Sequence, residues 1–160
     1  LITITFIDID FLIIPDTLSI QGIICGLLWT LLISNHSPDQ GNWSILTQHF
    51  LASISGYLSY YLFSEFVMLI IRKPGLGIGD AKLAALSGSW LGFSGIEIVT
   101  VISVLMAGLF ATIFLLSRKL KRGQYIPFGP FMSISILLVW LLGNDFWIRG
   151  LGTILWWRYI

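Results

Sequence analysis

The chain has 160 residues, 56% of them hydrophobic, 14% aromatic and 11% charged, with a mean hydropathy of +0.90. A soluble domain carries about 25% charged residues, so this composition cannot furnish a water-facing surface and reads as a membrane protein. Nine Lys and Arg against eight Asp and Glu leave a net charge of +1, which excludes a nucleic-acid-binding stripe, and the single cysteine, Cys25, excludes an internal disulfide or a cysteine metal cage.

Uncharged runs mark the predicted elements. A central charge costs about 2.5–3.5 kcal/mol on insertion scales, and about 20 apolar residues cross the hydrocarbon core. The first apolar run, 1–7, opens at Leu1 and is expected to be the stub of an earlier helix in a chain that has lost upstream sequence. The later runs are 17–38, 40–64, 83–96, 98–117 and 123–144, the second trimmed by polar residues to a helix near 45–71 and the third expected to start near Asp80. The predicted architecture is therefore all-α: a polytopic transmembrane helical bundle of about five spans plus the N-terminal stub. Residues 1–143 form the transmembrane domain, and 144–160 an interfacial aromatic tail with Trp147, Trp156, Trp157 and Tyr159.

Arg72 and Lys73 follow one span, and Arg118, Lys119, Lys121 and Arg122 another, whereas 35–42 has no Lys or Arg. The positive-inside rule makes the basic loops cytoplasmic. Threading from that anchor puts 8–16 and 75–80 on the cytoplasmic face, and His36, Asp39 and the tail outside. Two acidic motifs thus reach one side of the membrane.

The first motif holds Asp8, Asp10 and Asp16 within nine residues. Pro15 breaks the helix there, and Asp16 is expected to N-cap the helix that starts at Thr17. Asp10, two positions from Asp8, is expected to face water or headgroups. The second motif has glycines at 75, 77 and 79, then Asp80 and Lys82. Alternating glycines let another chain approach closely, and the aspartate sits at a helix start beside exposed N–H groups. A phosphate loop is excluded because no Gly-Lys-Ser/Thr follows and an aspartate in the cradle repels phosphate. Lys82 is expected to be a snorkelling interfacial cation. Two aspartates brought together can share one proton, since close like charges cannot both ionise; one then serves as base towards water and the other as acid, the chemistry of aspartic proteolysis. Glu65 is expected at a helix end, Glu97 in a short external turn, and His36 and His49 outside any metal site. Pro127 and Pro130 around Gly129 predict a turn at the cytoplasmic end of the last span.

Asp8 with Ile14-Pro15-Asp16, then Gly77-Ile78-Gly79-Asp80-Ala81-Lys82-Leu83, Gly88-Ser89-Trp90-Leu91-Gly92 and Ile126-Pro127-Phe128-Gly129-Pro130-Phe131, in order over nearly the whole chain, resemble the type IV prepilin peptidase family, the GxGD aspartic proteases of type IV pilus and type II secretion systems. The resemblance implies that Asp8 and Asp80 are the catalytic pair, that Asp10, Asp16, Gly77, Gly79 and Lys82 support it, and that the substrate is a prepilin or pseudopilin. Its basic leader would be removed at the cytoplasmic face of the bacterial inner membrane, and under this reading the Pro-Phe-Gly-Pro turn borders the substrate groove. Proteolysis then needs no cofactor and no metal. Many members carry an upstream region with two Cys-x-x-Cys pairs and methylate the new N-terminus. The resemblance implies zinc and S-adenosylmethionine only for a full-length form. The alternatives are a GxGD protease for another membrane substrate, a proton-coupled transporter subunit and an inactive truncated remnant. The partners expected are the bilayer and the substrate peptide, not nucleic acid; no oligomeric state follows.

Overall fold

The structure, a computed structural model, describes residues 1–11, 13–34, 42–72, 77–117 and 127–155. These form six helices and, among the described residues, no strand: α1 (Ile2–Phe11), α2 (Asp16–Ser34), α3 (Asn42–Ile71), α4 (Ile78–Leu116), α5 (Gly129–Leu142) and α6 (Asn144–Leu155). The predicted positions 36, 39, 73, 75, 118–122, 126, 156, 157 and 159 lie outside the described residues.

The outer surface of the bundle is apolar, whereas its interior sets serine side chains among the apolar core. Leu69 is 79% exposed and Leu116 80%, while Ser19, Ser87, Ser89, Ser103 and Ser135 are fully buried beside Leu83, Val99, Met132 and Val139. That inversion is what lipid demands: tails solvate leucine as well as leucine does, so helices associate through close packing and side-chain hydrogen bonds instead. The α3–α4 interface is built this way. Ser53 Oγ donates to the Ala85 carbonyl at 2.9 Å, and a Cβ on Gly88 would lie 2.7 Å from the backbone of Ala52 and Ser53.

By length and composition the α2 segment Asp16–Ile33 and α4 are able to cross a membrane. A third crossing is added if α5 and the start of α6, bent by 100°, are one broken span. α5 alone, at 14 residues, is about 21 Å long, short of the hydrocarbon thickness of about 30 Å. α4, at 39 residues, measures about 58 Å, nearly two thicknesses.

α4 thus carries both runs expected as separate spans, and the interruption is not where Glu97 was expected to place it. Glu97 is helical and exposed. The break is at Gly92, with φ 71° and ψ −168°, a region reserved for glycine. A charge marks contact with water or headgroups, whereas the turn is set by the one residue able to adopt that backbone. Carbonyls on the preceding turn find donors outside the helix, as a kink requires. His49 Nδ1 lies 3.1 Å from the Ser89 oxygen, and Asn144 Nδ2 donates to Leu91 O and Ser94 Oγ, each at 3.0 Å. His49 therefore bonds the kink, and the segment expected to be an interfacial tail begins as α6, which Asn144 ties to α4. Gly92→Ala is expected to cost about 1–2 kcal/mol, read as a lowered Tm in detergent; an unchanged Tm would show that the break tolerates a side chain.

Candidate active site

Asp8 and Asp80 are the buried carboxylates among the described residues, at 6% and 7% exposure. Asp8 sits near the end of α1, and Asp80 in the first turn of α4. They come from segments 72 positions apart, yet Asp8 lies within electrostatic reach of Asp80.

Each is held by backbone. The Gly77 N–H donates to Asp80 Oδ2 at 3.0 Å, and the Asp80 N–H donates back to Gly77 O at 3.0 Å. Asp80 is thus the acid at the third helical position that caps its own helix, where the positive end of the dipole favours it. Asp8 faces the backbone amide of Gly129 at the start of α5, and its Oδ2 is buried without a hydrogen-bond partner. A buried, unpartnered carboxylate oxygen is costly in a fold and is retained where function needs it.

What brings these segments together is Ile14, 4% exposed in the link between α1 and α2. A Cβ on Gly79 would lie 2.9 Å from Ile14 Cδ1, and one on Gly129 would lie 3.4 Å from the same atom. The Ile14 side chain therefore packs against the starts of both α4 and α5, and the glycine at 79 is what admits it. Pro15 ends the preceding helical path, so the chain can turn into α2 here.

Asp16 and Lys82 form an ion pair. Lys82 thus takes a carboxylate partner rather than reaching alone to the headgroups. Asp16 is the first residue of α2, and its carboxylate is drawn to α4. With the two side chains 69% and 25% exposed, the pair contributes about 0–1 kcal/mol, so its effect is on register more than on stability. Asp10, two residues beyond Asp8, is exposed and does not enter the cluster. Glu65 is exposed on α3.

Three neighbours of the pair were not foreseen. Tyr60, 9% exposed, hydrogen-bonds through its hydroxyl to Thr100 Oγ1 at 2.9 Å and is within electrostatic reach of Asp80. No local pattern distinguishes Tyr60 from Tyr57 or Tyr61. Ile14 was visible only as the residue before Pro15. Gly129 was singled out as a turn glycine, with no hint that it meets Asp8. Among the described residues no three His, Cys, Asp or Glu side chains converge as metal ligands, and Cys25 is exposed.

Two buried carboxylates so placed can exchange protons with a bond bound between them. Residues 1–115 match the model of the type IV leader peptidase family. The chain is 33% identical over 155 residues to the prepilin leader peptidase/N-methyltransferase of Aeromonas salmonicida, covering 97% of this chain and 50% of that protein. It is 35% identical over 145 residues to that of Legionella pneumophila, covering 91% and 48%. With the protein of the same name from Pseudomonas aeruginosa it shares 33% over 142 residues, covering 88% and 46%. The chain spans about half the length of these curated relatives. No solved structure matches it. With more than two thirds of its residues matched by one family model, the chain belongs to the type IV leader peptidase family.

Proposed function

We propose that this chain is an aspartic endopeptidase that removes the leader of a type IV prepilin or type II secretion pseudopilin, with Asp8 and Asp80 as its catalytic pair. The observation that carries the reading is the pair itself: two carboxylates buried among apolar helices, drawn from distant segments and within electrostatic reach of each other. One carboxylate takes a proton from water as the oxygen attacks the scissile carbonyl carbon. The other carboxyl gives its proton to the carbonyl oxygen; when the tetrahedral intermediate collapses, that hydroxyl returns its proton to the carboxylate, the C–N bond breaks and the leaving amine takes the proton drawn from water. Asp16, Lys82, Gly77 and Gly79 support the pair by fixing the first turn of α4, and Asp10 stands at its solvent side.

The charge distribution supports a cytoplasmic site in the bacterial inner membrane, where the basic leader of the substrate lies in water and its apolar helix in lipid. The bond cut is the one after a glycine at that boundary. The test is to mix membranes containing this chain with a prepilin and follow the leader by mass. Release of the intact leader is expected; a prepilin left uncut under conditions where a full-length relative cuts it would overturn the proposal.

A further inference from the structure

We propose that Gly129 is a positioning residue for Asp8: its bare Cα is the floor on which the carboxyl group rests, and its amide aims that group towards Asp80. This rests on reading Asp8 as half of the catalytic pair. A Cβ at position 129 would lie 2.9 Å from Asp8 Cγ and closer still to Oδ2, whereas carbon atoms not bonded to each other sit about 3.5–4.0 Å apart. The carboxyl cannot retreat freely, because Asp8 is 6% exposed and Ile14 packs against the same glycine. The backbone amide of Gly129 faces Asp8, while Oδ2 is buried with no hydrogen-bond partner, which leaves that oxygen available to the reaction. Asp80, by contrast, carries its own holder in Gly77. The two carboxyls thus meet two different glycines, one at the start of α4 and one at the start of α5.

Helix propensity makes the test sharp. Alanine is a better helix former than glycine, so Gly129→Ala would stabilise α5 if nothing stood against it. The structure places a carboxyl there, and the sign reverses. Gly129→Ala is expected to lower kcat about 100-fold, the scale of a misplacement of about 1 Å, with KM for a prepilin held within about twofold, when rates are referred to folded enzyme. Gly108→Ala, whose added Cβ meets nothing within 4 Å, is expected to leave both constants unchanged. Gly129→Ala should also lower Tm in the parent but not in an Asp8→Ala background, where the clashing atoms are gone. If Gly129→Ala fails to fold alone, recovery of folding in the double variant carries the same information. Parent-like kcat in Gly129→Ala, or an equal Tm change in both backgrounds, would overturn the inference. Cleavage surviving Asp8→Asn would instead overturn the catalytic reading, and the Tm comparison would still report on the contact.

Discussion

Asp80→Asn and Asp8→Asn are each expected to reduce leader cleavage by about 1,000-fold or more, the upper part of the range for losing a positioned acid or base. The amide has the size of the carboxyl but neither takes nor releases a proton at neutral pH. In Asp80→Asn the side-chain oxygen can still accept from the Gly77 N–H, so the first turn of α4 keeps its cap. In Asp8→Asn the side chain still has an oxygen to present to the Gly129 amide. Both variants should therefore fold, with Tm equal to or above that of the parent, since a buried ionisable group has been replaced by a neutral one. Initial rates at matched protein levels read the effect. Either variant retaining activity within about tenfold of the parent would show that its carboxyl is not an acid or base of the reaction.

Gly88→Val is expected to be the most damaging of the packing substitutions. The added Cβ would lie 2.7 Å from the Ala52 carbonyl carbon and oxygen and from the Ser53 nitrogen. These are backbone atoms inside α3, so no rotamer change removes the overlap and the helices must separate. Separation also stretches the bond from Ser53 Oγ to the Ala85 carbonyl. The cost is expected at the upper end of overpacking, about 3 kcal/mol or more, seen as a large fall in Tm in detergent together with loss of cleavage, because the same helix carries Asp80 in its first turn. A Tm within a few degrees of the parent would show that α3 and α4 do not meet at Gly88.

Much of this was legible in the sequence because a charge in an apolar run is a strong signal. The expected span 17–38 is α2, Asp16–Ser34, and the helix expected from 45 to 71 is α3, Asn42–Ile71. The helix expected to open near Asp80 opens at Ile78. Asp8 belongs to a cluster of acids that apolar surroundings make costly, Asp80 follows alternating glycines at a helix start, and the fold buries both. What was not legible depends on contacts between segments far apart. That Ile14 fills the space beside Gly79 and Gly129, or that Asn144 reaches the Leu91 carbonyl, is written in no local pattern. Charge alone puts the break in α4 at Glu97, since a charge between apolar runs reads as a turn. Gly92 was one glycine among several in that stretch, and only its backbone angles set it apart. Lys82 was paired with the headgroups because Asp16, 66 positions away, gave no sign of approaching it.

The account stands on Asp8 and Asp80 meeting at one end of the bundle, and cross-linking tests that most directly. Cys25, the one cysteine, is replaced by serine, cysteines are placed at 8 and 80, and a short bifunctional thiol reagent is applied in membranes. A second chain with cysteines at 16 and 82, positions joined by an ion pair, serves as reference. An efficient intramolecular cross-link is expected in both chains. A cross-link at 16 and 82 with none at 8 and 80 would contradict it, because the two aspartates would then be too far apart to act on one bond.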